Sequence, residues 1–182
     1  FPLSSPVLTV RGTFPGYEYK QLPTFYSGAE ASSFIFLKSM NVHIQTRIGA
    51  MYGRIFMHQP DARYPNFLPC PKASIQLQKI WKHLLLKLDI QATGKQPFYT
   101  PGTDYLPPPT GYILVNSQLH LFDYGLHQRS RWVIYGENLG NKAYRDYMDR
   151  FRYFTNQPGT NVGIKWIYNI HHHNQHIHNN KQ

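Results

Sequence analysis

Acidic residues are scarce in this chain of 182 residues: 9 Asp and Glu stand against 19 Lys and Arg, a formal balance of +10. Such an excess points first to nucleic acid or to an anionic surface. Cysteine is nearly absent. Cys70, set between Pro69 and Pro71, has no second cysteine to pair with, so it reads as a loop residue and leaves the redox compartment open. Long apolar runs are missing as well, and none approaches the ~20 residues of a membrane-spanning helix. That excludes a helical membrane protein but not a β-barrel, whose alternating strands give a weak hydropathy signal. The chain opens on Phe1-Pro2-Leu3-Ser4-Ser5, without an initiating Met, a basic n-region or an apolar h-region, so a mature or, preferably, a truncated chain is expected. Enzyme signatures are wanting too: no paired carboxylates with sequence support, no Gly-rich phosphate loop, no nucleophile elbow. Neither catalysis nor a cofactor is expected.

What the chain does have is aromatic rings, 14 Tyr, 11 Phe and 3 Trp, and a dominant period of two. From Asn41 to Arg54 the even positions read Val42, Ile44, Thr46, Ile48, Ala50, Tyr52 and the odd ones His43, Gln45, Arg47, Gly49, Met51. Leu84 to Thr93 sets Leu84, Leu86, Leu88, Ile90 and Ala92 against Lys87, Asp89, Gln91 and Thr93. Residues 73–81, 113–121 and 160–170 repeat the pattern, and no stretch keeps a helical period. Eight strands are predicted, at 4–12, 23–37, 41–56, 72–81, 83–94, 111–122, 129–137 and 160–170. Most are near the ~9–11 residues of a tilted strand crossing a bilayer.

Between them, connections are expected to alternate in length. Three are short, near 38–40, 82 and 123–128; four are long, at 13–22, 57–71, 95–110 and 138–159, and hold most of the proline. A transmembrane barrel has this asymmetry, with short periplasmic turns and long outer loops. Proline suits the loops because it removes a ladder donor. Rings gather near strand ends, as at Phe36, Tyr52, Phe56, Trp81, Trp132 and Tyr168, where an amphipathic ring would sit at the water–lipid boundary. The face opposite the aliphatic one holds Arg47, Lys87, Asp89 and His120, which fits a wide or plugged lumen better than a small packed barrel.

The stretch Gly136-Glu137-Asn138-Leu139-Gly140-Asn141-Lys142-Ala143-Tyr144-Arg145-Asp146-Tyr147, continuing to Phe154 and to Pro158-Gly159-Thr160-Asn161, resembles the end of TonB-dependent outer-membrane receptors of the iron-complex type. Val10-Arg11-Gly12-Thr13-Phe14-Pro15, Tyr26-Ser27-Gly28-Ala29-Glu30 and Pro108-Pro109-Thr110-Gly111-Tyr112 resemble upstream pieces of that family, in the same order. Gly140 and Thr160 depart from the usual Phe and Arg, and the last strand ends in Ile170 rather than an aromatic residue. The resemblance implies an all-β fold: about eight strands of a 22-stranded antiparallel transmembrane barrel over residues 1–170, with a His-rich periplasmic tail at 171–182. It implies import of a metal complex, ferric siderophore or haem favoured, across a Gram-negative outer membrane. Zinc, copper and cobalamin stay open. Outer-membrane lipid, a plug and the missing strands, the TonB complex through that plug, and the metal chelate would be the partners, and the segment alone would not transport.

Anionic chelates suit basic and aromatic loop residues. Candidates are Arg63 and Tyr64 in one loop, Tyr99 and Tyr105 in a second, and Arg145, Tyr147, Arg150 and Arg152 in a third. Alternatively, Arg145, Asp146, Asp149 and Arg150 pair among themselves and fix the loop. His171, His172, His173, His176 and His178 are candidate metal ligands, since neutral imidazole binds Zn, Ni and Cu; a solvated tail or a fusion remnant is the plainer reading. Two rivals to the transporter are a complete eight-stranded barrel with a structural or adhesive role, and a soluble basic β-protein binding nucleic acid. The alternating loops and outward aliphatic rows disfavour the second, so no nucleic-acid partner is expected.

Overall fold

The computed structural model describes residues 21–56, 64–122 and 130–168 in full and the backbone of 2–9 and 12–19. Nine strands are present among the described residues: β1 (Pro2–Thr9), β2 (Gly12–Tyr19), β3 (Thr24–Leu37), β4 (Val42–Ile55), β5 (Lys72–Ile80), β6 (Leu84–Thr93), β7 (Tyr112–Phe122), β8 (Ser130–Glu137) and β9 (Asn161–Tyr168). β1 and β2 form a two-stranded sheet of their own; β3 to β9 form a seven-stranded sheet in chain order. Every pairing is antiparallel.

The expected long connection at 13–22 is therefore a strand. Proline and glycine conceal it in the sequence, and the register sets Pro6 opposite Pro15, where neither can donate to the ladder. Strict alternation of connection length consequently fails at this end, where β2 passes to β3 within 20–23. From β3 onward it holds in length: 38–41, 81–83 and 123–129 alternate with 56–71, 94–111 and 138–160, and the strand ends that each kind joins gather at opposite ends of the sheet. The sheet is open rather than closed, with β3 and β9 at its edges.

Register turns the period of two into two faces. In one row Leu77 pairs with Ile44 and Leu88; in the next, Ile75 pairs with Thr46 and Ile90, which pairs with Val115. Ala73, Ala92, Ile113, Leu119, Ile134, Val162 and Ile164 continue that face. The other face aligns Gln45, Gln76, Asp89 and Asn116, and beside them Gln78, Lys87, Gln118 and Tyr135. The aliphatic face is bare: Ile48 is 62% exposed, Ile113 60%, Val162 66% and Ile164 63%. No second layer of described residues covers it, unlike the inner face of a soluble sandwich.

The buried core instead sits at the end of the long connections. Leu68, Pro65, Gln96 and Arg152 are fully buried and Tyr147 nearly so. At the opposite end Asn41 closes the 3₁₀ turn Lys38–Met40 in a left-handed conformation (φ 51°), which Asn tolerates. Its side-chain amide donates to the Ile80 carbonyl at 2.7 Å and ties that turn to the end of β5.

Candidate functional site

Three connections of unrelated sequence build one package. Gln96 donates to the carbonyls of Leu68 (3.0 Å) and Pro69 (2.8 Å) and accepts from the Phe98 amide (3.0 Å), joining the first connection to the second. A buried amide must find such partners or lose the full desolvation cost. Asn66 donates to the Thr103 carbonyl at 2.6 Å, and the Tyr64 amide donates to Thr100 Oγ1 at 2.9 Å. The rings of Tyr52, Tyr64 and Phe98 meet alongside, Tyr52 and Phe98 edge-on at 5.0 Å.

The third connection is closed at its base by Asn138, itself left-handed (φ 48°). Its amide donates to the carbonyls of Lys142 (3.0 Å) and Pro158 (3.2 Å), and its Oδ1 accepts from the Lys142 N–H (2.9 Å). This is the local work of the Asn138-Leu139-Gly140-Asn141 and Pro158-Gly159 segments. Asp149 then accepts from the Phe151 N–H at 2.9 Å and starts the 3₁₀ turn Arg150–Tyr153.

That turn aims Arg152 inward. Its guanidinium donates to the Pro107 carbonyl (3.1 Å), the Leu106 carbonyl (2.9 Å) and the Asp104 carboxylate, which also accepts from the Tyr153 hydroxyl. It lies over the rings of Tyr147 (5.0 Å) and Tyr153 (4.6 Å). Burial, aided by the bond to Asp104, pushes the Tyr153 phenol up to about 12. Burial likewise raises Tyr147, and it raises the Cys70 thiol with help from Asp146.

The candidates of the sequence reading meet different fates. Tyr99 and Tyr105 line one cleft with Asn66, Asp104 and Pro107, and Tyr105 is 57% exposed. Arg150 is exposed above the Phe67 ring, 5.6 Å from its centroid. Arg145 donates to Asn156 at 2.8 Å, and Tyr64 is half-buried among the rings. Tyr147 and Arg152 are each 2% exposed, their polar groups turned into the package. Arg63 and the five tail histidines lie outside the described residues. The alternative of mutual pairing among Arg145, Asp146, Asp149 and Arg150 is not the arrangement found. Asp146 accepts from the Tyr112 hydroxyl (3.1 Å) and faces Lys72 (3.9 Å), while Asp149 caps its turn and accepts from Gln157.

Sequence reasoning missed Gln96 and Asp104, polar residues in aperiodic stretches, and had Asn138 only as part of the family-like stretch, without its role in closing the loop. It also missed Phe151 and Phe154, 70% and 83% exposed beside Arg150. No group of three or more His, Cys, Asp or Glu that could hold a metal occurs among the described residues. No described helix is long and apolar enough to cross a membrane, which says nothing of a β-barrel.

No family model matches the chain, and no curated protein does. Solved structures match, among them the copper transporter OprC, with a TM-score of 0.71 over 92% of this chain and 26% of that one, at 14% identity. The fold is shared with part of a copper transporter. At that identity the likeness is one of fold, and the chain spans about a quarter of the transporter's length.

Proposed function

We propose that the chain forms part of the wall and outer loops of a TonB-dependent outer-membrane transporter that imports a metal complex. The carrying observation is the two-faced sheet. Its aliphatic rows are exposed, its polar rows face the other way, and its long connections share one end. An uncovered aliphatic wall suits lipid, and a polar inner face suits a wide, plugged lumen. The fold shared with OprC supports this reading, as do the motifs around Asn138 and Pro158. On this reading the sheet supplies seven of some 22 strands, its edges are completed by missing strands, and a missing plug meets the TonB complex. The long connections are extracellular, and the chain serves no catalytic step.

Recognition falls to the loop package. Tyr105, Arg150, Phe151 and Phe154 offer exposed rings and a guanidinium, and Arg145, Tyr64 and Tyr99 are half-buried in the same connections. Such a surface suits a bulky anionic chelate, ferric siderophore or haem, by stacking and charge-assisted hydrogen bonds. Copper is the second reading, favoured by the cargo of OprC. Titrating the full receptor with residues 171–182 removed, so that the tail histidines add no heat, in detergent with a ferric siderophore, haemin and Cu(II) separates them. Heat with the chelates and none with Cu(II) is expected; heat with none of the three would sink the transport reading. His171, His172, His173, His176 and His178 are proposed as a periplasmic chelator for Zn, Ni or Cu after passage. Calorimetry comparing the receptor with and without residues 171–182 tests this, and equal heats would end it.

A further inference from the structure

The short-connection end of the sheet carries a charge pattern that the transport reading does not use. Among the described strand residues of the seven-stranded sheet, the aliphatic face holds two charged side chains, Arg54 and Lys79. Arg54 lies at the long-connection end, past Tyr52. Lys79 pairs with Val42 and Leu86, in the row that continues through Leu119, Ile134 and Ile164. The next row toward the turns is Leu84, Leu121, Trp132 and Trp166. Lys79 therefore leaves the backbone about 7 Å deeper than the tryptophan row, two residues of strand rise. Its Nζ stands 5.1 Å from the Trp81 ring centroid at the end of β5, so its stem runs back toward the turns. A ring face attracts the cation but leaves ammonium donors seeking acceptors.

Two more cations lie in the neighbouring turns. Lys38 lies in the 3₁₀ turn and Lys82 in the β5–β6 connection. Asn41 stitches these turns side by side, donating to the Ile80 carbonyl while the Ile80 N–H donates to its own carbonyl at 3.4 Å. None of the described acidic side chains is nearby. Glu30 and Asp89 are mid-strand, and Asp104, Glu137, Asp146 and Asp149 are at the other end, as are the described ion pairs. Asp123 and Arg129 belong to the 123–129 connection, outside the described residues.

Resting on the reading that the aliphatic face meets lipid, we propose that Lys38, Lys79 and Lys82 form a docking surface for the phosphate headgroups of anionic phospholipids. Charge complementarity calls for an anion. The neighbours of Lys79 on its own face are Val42, Leu77, Leu86 and Trp81, which an acyl chain covers and a soluble anion does not. The tryptophan row sets the depth at which headgroups begin. Lysines at this level draw anionic lipid and lose the preference as salt rises.

The test uses tryptophan quenching in the full-length receptor reconstituted in phosphatidylcholine vesicles. A minor fraction of the lipid is brominated on its acyl chains, as phosphatidylglycerol in one series and as phosphatidylcholine in the other. The expected preference for phosphatidylglycerol is at least about fivefold, collapsing toward one in K38Q/K79Q/K82Q. If the triple variant fails to fold, judged by heat-shifted migration in detergent gels, Lys79→Gln alone should show a reduced preference. Equal quenching by the two lipids in the unaltered receptor overturns the headgroup proposal and leaves the lipid-facing reading standing. Quenching by neither overturns both.

Discussion

Replacing Arg152 by Ala removes the side chain on which the loop package closes. Arg152 and Asp104 are 2% and 13% exposed, so the pair is buried. Deleting one member of such a pair strands the other charge and costs about 3–5 kcal/mol. Asp104 keeps the Tyr153 hydroxyl and the Tyr105 N–H at 2.8 Å, which argues for the lower end, about 3 kcal/mol. The carbonyls of Leu106 and Pro107 also lose their donors, but water reaches them once the package loosens. A cost of about 3 kcal/mol raises the open population about 140-fold. Hydrogen–deuterium exchange on the full-length receptor should report it as faster exchange in peptides from 94–111 and 138–160, with β5 to β7 unchanged as internal reference. Arg152→Lys keeps the charge but not the planar fork, and should fall between the two. Unaltered exchange in those peptides of a folded R152A receptor would refute the role assigned to Arg152.

Four further outcomes are expected. Ile90→Arg, on the exposed aliphatic face, should cost about 2–4 kcal/mol and suppress folding into vesicles, whereas Gln91→Arg, one residue on, should not; equal effects in gel-shift folding assays would contradict the assignment of faces. Arg150→Ala should weaken chelate binding about tenfold in calorimetric titration, the worth of one charge-assisted hydrogen bond, and unchanged binding would remove Arg150 from the site. The Tyr153 phenol is raised from 10 to about 12, so the folded loops hold its proton more tightly than the unfolded chain. Their stability is then fully present below pH 10 and declines as pH climbs toward 12, and the decline should be shallower in Tyr153→Phe when exchange is followed across that window. Gly163→Ala would drive a methyl group into the Tyr135 ring, which lies over Gly163 with Lys165 Nζ 4.5 Å from its centroid; about 1–3 kcal/mol should be lost from the last hairpin, read as a lower melting temperature.

Alternation located β4 to β7 and β9 within a few residues, because a strand with unlike faces writes its period directly into the chain. It also fixed which side chains share a face, and the register then aligned those faces across the sheet. β2 escaped, because Gly12, Pro15 and Gly16 break the pattern although its backbone still pairs with β1, itself expected near 4–12. Loops have no period, and there tertiary structure decided everything. Arg150 and Arg152 are two residues apart in one 3₁₀ turn and look alike in sequence. One ends exposed above Phe67, while the other is buried against Asp104, 48 residues away. Nothing local distinguishes them, because the burial of an aperiodic side chain depends on partners delivered by distant segments.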